Sequence, residues 1–175
     1  MGETAKHILV LGGARSGKSR YAEALGETVT GNRIYIATAQ ARDTEMTQRI
    51  AAHRKRRENR WTTLEEPLNL AGALANAGEQ HGFILIDCLT LWLSNLLLAE
   101  QDCERAVGSL IETLDACAGT VVIVSNEVGG GIVPDNELAR RFRDVAGTAN
   151  QRLAQACDEV VLVTAGLPQI LKPAR

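Results

Sequence analysis

The sequence predicts an α/β fold in which a mostly parallel central sheet carries helices on both faces. Three observations predict it. The runs Ile8–Leu11, Phe83–Ile86, Val121–Val124 and Val160–Val163 are continuously apolar rather than alternating, the pattern of strands covered on both sides. These runs alternate along the chain with stretches of helical periodicity. The 175 residues, 45% apolar and 23% charged, suit one globular unit spanning 1–175 without repeats or linkers.

The elements follow in order. His7–Leu11 reads as a strand, Ser19–Thr28 as a helix and Arg33–Thr38 as a second strand. Asp43–Asn59 is a charged helix with Asp43 as its N-cap and no Gly or Pro inside. Trp61–Leu64 is a short strand. Pro67–Ala77 reads as a helix with proline in its first turn. Gly82–Asp87 is a buried strand, followed by helices over Leu89–Ala99 and Asp102–Ala116. Thr120–Ser125 is a strand, Asp135–Ala156 a long helix and Glu159–Thr164 the last strand. The segments expected to be loose are Ala39–Thr44, Val128–Pro134 and the tail Pro168–Arg175, whose two prolines predict no long terminal element.

Composition narrows the function classes. Aromatics are only 3%, so the core must be built from Leu, Val, Ile and Ala. A net charge of −2 argues against a chain-wide nucleic-acid role. The longest apolar run, Cys88–Ala99, is interrupted by Thr90, Ser94 and Asn95 and is too short to span a membrane. Cys88, Cys103, Cys117 and Cys157 form no metal-type pair, and no secretory signal precedes them. A cytoplasmic protein with reduced, buried thiols is the expectation.

Gly12-Gly13-Ala14-Arg15-Ser16-Gly17-Lys18-Ser19 matches G-x-x-x-x-G-K-[ST] at every fixed position, between a predicted strand and a predicted helix. The glycines let the backbone curl so that successive N–H groups aim at phosphate oxygens, and the helix adds its positive N-terminal end. Lys18 is expected to reach the β- and γ-phosphates of a nucleoside triphosphate, and the Ser19 hydroxyl to ligate Mg²⁺. Arg15 and Ser16 offer further donors. Asp87 closes four apolar residues, where P-loop proteins hold the magnesium directly or through water; the competing reading is a cap on the helix that follows. Ligands of open α/β sheets sit at the carboxyl ends of the strands. That singles out Ala37-Thr38-Ala39, Asn126-Glu127 and the glycines 129–131, the last equally readable as a plain connection.

The basic run holds Arg49, His53, Arg54, Lys55, Arg56, Arg57 and Arg60 within three turns. It admits three readings. The first is a solvated face. The second is a nucleic-acid patch, weakened by the missing aromatics. The third is a site in which neighbouring cations keep the His53 ring neutral, a competent nucleophile toward phosphorus, while arginines offset charge on the attacked phosphate. His7 and His81 have no such surroundings and read as structural or exposed.

Taken together, several stretches resemble one family over nearly the whole chain: residues 12–19 and 37–39, Arg49-x-x-x-His53-Arg54-x-x-Arg57, Trp61-x-Thr63-x-Glu65-x-Pro67, Asp87-Cys88-Leu89-Thr90-Leu91-Trp92, Ser125–Gly129, Gly131–Pro134, Arg141–Asp144 and Asn150-Gln151. The family is the bifunctional adenosylcobinamide kinase/adenosylcobinamide-phosphate guanylyltransferases of cobalamin biosynthesis. The resemblance implies a RecA-like P-loop NTPase fold and a homotrimer. It implies transfer of the γ-phosphate of ATP or GTP to adenosylcobinamide. Transfer of GMP from GTP to adenosylcobinamide phosphate then follows through a guanylylated histidine, by motif position His53. It further implies nucleotide contacts at Gly12–Ser19, Ala37–Ala39, Arg54, Lys55, Arg56, Arg57, Glu65 and Asp87. The acidic balance and the missing interleaved aromatics predict no nucleic-acid partner. Two other classes remain: a RecA-like ATPase or small-molecule kinase without nucleotidyl transfer, and a nucleotide-dependent RNA-binding module using the basic helix, marked by salt-sensitive binding.

Overall fold

The computed structural model describes residues 6–40, 44, 51, 60–78 and 82–174. Among them seven strands form one sheet: β1 (His7–Gly12), β2 (Arg33–Ala37), β3 (Thr62–Glu65), β4 (Phe83–Asp87), β5 (Thr120–Asn126), β6 (Glu159–Thr164) and β7 (Leu167–Lys172). Their spatial order is β3-β2-β4-β5-β1-β6-β7. Every pairing is parallel except β6 with β7. The described helices are α1 (Lys18–Glu27), α2 (Leu70–Gly78), α3 (Leu89–Leu98), α4 (Cys103–Ala116) and α5 (Glu137–Ala156). Of the charged helix expected over 43–59, only Thr44 and Ala51 lie among the described residues, and both are helical.

Strands buried on both faces divide their side chains between two cores. Leu9, Leu11, Ile34, Ile36, Ile84, Ile86, Val121 and Ile123 pack under α2–α5. Ile8, Val10, Tyr35, Phe83, Leu85, Val122, Val124, Val161 and Val163 form the opposite face, covered by α1 through Ala22 and its partly buried neighbours Tyr21 and Leu25. The α/β P-loop class of fold, with its mostly parallel sheet and helices on both faces, therefore holds. The core is mainly aliphatic, as the composition demands. Yet Trp61 stacks edge-on against both Tyr35 and Phe83, with centroids 6.2 and 5.8 Å apart. Three of the aromatics thus meet between α1 and the sheet, while Trp92 and Phe142 belong to the core on the opposite face. All four cysteines are buried and free. No described helix is long and apolar enough to cross a membrane.

Two sequence expectations are corrected. The helix read as starting at Pro67 begins three residues later. The Glu66 carboxylate accepts the N–H groups of Leu68 (2.9 Å) and Asn69 (2.7 Å), holding that stretch as a turn. The Asn69 side chain then caps the helix by accepting from Gly72 N–H at 3.1 Å. The tail read as lacking a long element instead forms β7. A two-residue turn, Ala165 at φ 51° and Gly166 at φ 80°, folds it back on β6 in the left-handed conformation that tight hairpins favour. Pro168 is tolerated because β7 lies at the sheet edge, where one side of the strand has no partner among the described residues. Lys172 secures the far end by donating to the carbonyls of Ala154, Gln155 and Cys157, the unsatisfied acceptors at the C-terminus of α5.

Smaller shifts follow capping. Asp102 and Asn136 stand outside α4 and α5 as N-caps, accepting from Arg105 N–H and Ala139 N–H. Val128–Pro134 has no regular structure, as expected.

Candidate active site

The phosphate loop is shaped by close approach. β1 ends at Gly12, where a Cβ would lie 2.4 Å from Ser16 Oγ and 2.6 Å from the Val163 carbonyl oxygen, so only glycine lets the chain turn there. Arg15 and Gly17 take positive φ, 57° and 97°, curling the loop before α1 begins at Lys18. Gly13, Ala14 and Arg15 are exposed, whereas Ser16 and Lys18 are buried. Lys18 Nζ donates to the Gly13 carbonyl at 3.0 Å, across the mouth of its own loop. Ser16 Oγ is buried with no hydrogen-bond partner among the described residues. An orphaned hydroxyl inside a curled glycine loop suits an arriving oxyanion. From outside the loop, Gly166 N–H donates to the Ser16 carbonyl at 2.8 Å, so the tip of the β6–β7 hairpin braces the cradle.

The ends of β2, β3 and β4 lie in register: Ala37 pairs with Glu65 on one side and with Asp87 on the other. Asp87 does not cap α3. The N-cap there is Cys88, and no side chain performs the capping. Instead Tyr35 Oη donates to Asp87 Oδ2 at 3.0 Å, orienting the carboxylate. Cys88 is fully buried, and its thiol is pushed up to about 11 chiefly by burial and next by the Asp87 carboxylate, with Lys18 among the influences drawing it down. Lys18 and Asp87 therefore both act electrostatically on one buried sulfur.

Beneath these residues runs a polar network that the sequence did not disclose. Thr38 Oγ1 donates to the Cys88 carbonyl (2.7 Å) and accepts from Cys88 N–H (2.9 Å), locking the end of β2 to that of β4. Asn95, in the apolar helix α3, donates to the carbonyls of Thr38 (2.9 Å) and Pro67 (3.1 Å). Asn126 donates to Thr90 Oγ1 at 2.6 Å. Ser125 donates to Asn150 Oδ1 (2.7 Å), and Asn150 returns a bond to the Asn126 carbonyl (3.2 Å). Buried polar groups that satisfy one another rigidify what they connect. Here they hold the ends of β2, β4 and β5 in fixed relation. The legible signals were an Asn inside Leu89–Leu98 and a Tyr hydroxyl between the two isoleucines of β2.

Of the residues singled out from sequence, the structure thus collects Gly12–Ser19, Ala37–Ala39, Glu65 and Asp87 at the carboxyl edge of one sheet. Glu65 is exposed and lies on the outermost strand. His53, Arg54, Lys55, Arg56 and Arg57 lie outside the described residues, as do Arg49 and His81. His7, read as structural or exposed, is buried at the opposite edge. Among the described residues no three His, Cys, Asp or Glu side chains gather as a metal cage. One hydroxyl, Ser19, and one carboxylate, Asp87, are instead hard oxygen donors of the kind that suit Mg²⁺, which keeps water and phosphate oxygens as its other ligands.

Comparison with known proteins gives this geometry a context. The family model described as cobinamide kinase / cobinamide phosphate guanyltransferase matches residues 8–171. The chain is 52% identical over 167 residues to the bifunctional adenosylcobalamin biosynthesis protein CobP of Pseudomonas aeruginosa, covering 94% of this chain and 96% of that protein. It is 47% identical to the bifunctional adenosylcobalamin biosynthesis protein CobU of Salmonella typhimurium, covering 91% and 96%. It is 43% identical to the Escherichia coli protein of the same description, with the same coverage.

Proposed function

Because this chain belongs to the cobinamide kinase / cobinamide phosphate guanyltransferase family, we propose that it phosphorylates adenosylcobinamide with ATP or GTP and then transfers GMP from GTP to adenosylcobinamide phosphate. The products are adenosyl-GDP-cobinamide and pyrophosphate. Family membership makes it a bifunctional enzyme, a kinase and a guanylyltransferase in adenosylcobalamin biosynthesis. The observation that carries the finer reading is the braced phosphate loop 12–19 at the same sheet edge as Asp87.

In the kinase half, the backbone N–H groups of the loop, the N-terminus of α1 and Lys18 bind the β- and γ-phosphates and offset the charge that develops between them. Ser19 and Asp87 hold Mg²⁺, directly or through water, and the cation supplies further charge neutralisation at the phosphates. In the guanylyl half, a neutral nitrogen of His53 attacks the α-phosphorus of GTP. The bond from that phosphorus to the pyrophosphate oxygen breaks, and pyrophosphate leaves within reach of Lys18. A phosphate oxygen of adenosylcobinamide phosphate then attacks the histidyl phosphoramidate, freeing the imidazole. Arg54, Lys55, Arg56 and Arg57, together with Ala37–Ala39 and Glu65, complete the nucleotide contacts. The same resemblance supports a cytoplasmic homotrimer, each subunit working as one catalytic domain of residues 1–175.

The test is a label. Incubated with magnesium and GTP labelled at the α-phosphate, the protein should retain an acid-labile GMP on the peptide containing His53. The His53→Ala variant should lose guanylyl transfer by at least about a thousandfold and keep kinase activity. Wild-type transferase activity in that variant would defeat the histidine assignment. A kinase that never retains label would leave only the phosphotransferase.

A further inference from the structure

We propose that Glu127 is the group that takes the proton from the acceptor hydroxyl during phosphoryl transfer; this deepens the kinase half of the proposed function and rests on it. An alcohol attacking the γ-phosphorus must shed a proton that it holds tightly near neutral pH, and a carboxylate within hydrogen-bond reach is suited to accept it.

The topology selects Glu127 among the described carboxylates. β5 lies directly beside β1, and Asn126 is in register with Gly12, the first residue of the phosphate loop. The next residue is Glu127, whose backbone N–H donates to the Gly12 carbonyl at 3.0 Å. With neighbouring strands about 4.8 Å apart, the end of β5 is about 5 Å from that of β1, that of β4 about 10 Å and that of β3 about 19 Å. Glu65, at the end of β3, is therefore remote. Asp87, at the end of β4, is tied to Tyr35 and assigned to the cation. Glu66 is engaged in the turn before α2. On the other side of β1, the residues leaving β6 are Ala165 and Gly166, which bear no acid.

The local structure suits the task. Glu127 is exposed, and its Oε1 accepts the Gly129 N–H at 2.7 Å, which steadies the carboxylate. A Cβ on Gly129 would lie 2.9 Å from that oxygen, so glycine permits the approach. At Gly130 and Gly131 a Cβ would meet nothing within 4 Å. Gly130 and Gly131 thus leave open space, among the described residues, beside a hydrogen-bonded carboxylate next to the phosphate loop for a bulky acceptor. In the step itself the acceptor oxygen bonds to the γ-phosphorus and the bond from that phosphorus to the bridging β-oxygen breaks. The hydroxyl proton passes to the Glu127 carboxylate, and the nucleoside diphosphate departs. The proton is returned to water before the next turnover.

The two activities provide the control. A phosphate monoester is already ionised near neutral pH, with its second ionisation near about 6, so guanylyl transfer to adenosylcobinamide phosphate needs no such base. Glu127→Gln keeps an oxygen for the Gly129 N–H and removes the base. It should lower kinase kcat by about 10²- to 10⁴-fold, whereas guanylyl transfer to the pre-phosphorylated acceptor falls by less than about tenfold. A variant kinase within about fivefold of wild type would overturn the assignment. So would a parallel collapse of both activities, which would make Glu127 a support for the nucleotide. A wild-type chain without kinase activity would overturn the functional reading and this inference with it, and the wild-type control separates that outcome from the other two.

Discussion

The two ends of the sheet are made by the same strands yet finish differently. At the amino edge the strands are closed mainly by backbone bonds, with one carboxylate and one ion pair beside them. His7 and Asp158 exchange two bonds of 2.8 Å, Val121 N–H reaches the Lys6 carbonyl at 3.0 Å, and Thr120 N–H reaches the Gly82 carbonyl at 3.1 Å. Lys6 and Glu159 close the same edge with an ion pair at 2.7 Å. At the carboxyl edge backbone bonds continue, from Glu66 N–H to the Ala37 carbonyl (2.9 Å) and from Glu127 N–H to the Gly12 carbonyl (3.0 Å), but buried side chains are added to them. There Thr38, Asn95, Asn126 and Asn150 hold strand ends together while the phosphate loop and Asp87 stand open to a ligand. The comparison teaches a division of labour: one edge stores stability, and the other spends hydrogen bonds on placing chemistry.

Three measurements break or sharpen that division, taken from the largest effect down. Lys18→Ala, at the open edge, should lower kcat/KM of both reactions by about 10³-fold, equivalent to about 4 kcal/mol of transition-state stabilisation. An unaffected kinase rate would contradict the role given to Lys18.

The second concerns Cys157, which sits at the closed edge where α5 ends. Its thiol is pushed up to about 12, mainly by burial and next by Asp158, with Lys172 opposing. Above the ordinary thiol value of 9.0 the unfolded chain loses this proton while the folded chain keeps it. The unfolded state then binds fewer protons, so stability is intact below that value and declines as pH rises toward the folded value. At about pH 10.5 the cost from this one thiol is about 2 kcal/mol, read as a fall in the urea midpoint relative to neutral pH. Cys157→Ala should flatten that slope; an unchanged slope would remove the thiol from the account.

The smallest effect is expected for Asp158→Ala, which deprives the His7 N–H of its partner. It should cost about 1 kcal/mol of stability and leave both reaction rates within about twofold of wild type. A large loss of activity would show that the closed edge is not catalytically silent.

Most of the fold was legible because β1, β4, β5 and β6 carry continuous apolar runs and the helices have a cap or a periodic face. The phosphate loop was legible because its geometry permits few residues: Gly12 has no room for a Cβ, and Gly17 is left-handed. β7 was missed because two prolines outweighed its apolar residues; nothing local announces that Lys172 will find the end of α5. The start of α2 was missed because Pro67 is a good first-turn residue, yet the Glu66 side chain competes for the same N–H groups. The network of Thr38, Asn95, Asn126 and Asn150 was hidden for a different reason. Its members are far apart in sequence and meet only when the sheet order brings β2, β4 and β5 together.

The brace from Gly166 to the Ser16 carbonyl carries a consequence for biosynthesis. The phosphate loop is synthesised before both strand neighbours of β1 and the residue that clamps its loop, all of which are encoded after position 119. A nascent chain holds the ligand-binding sequence long before it can hold the ligand-binding shape. Nucleotide affinity should therefore arise abruptly, once the hairpin of β6 and β7 has been delivered, rather than grow with chain length.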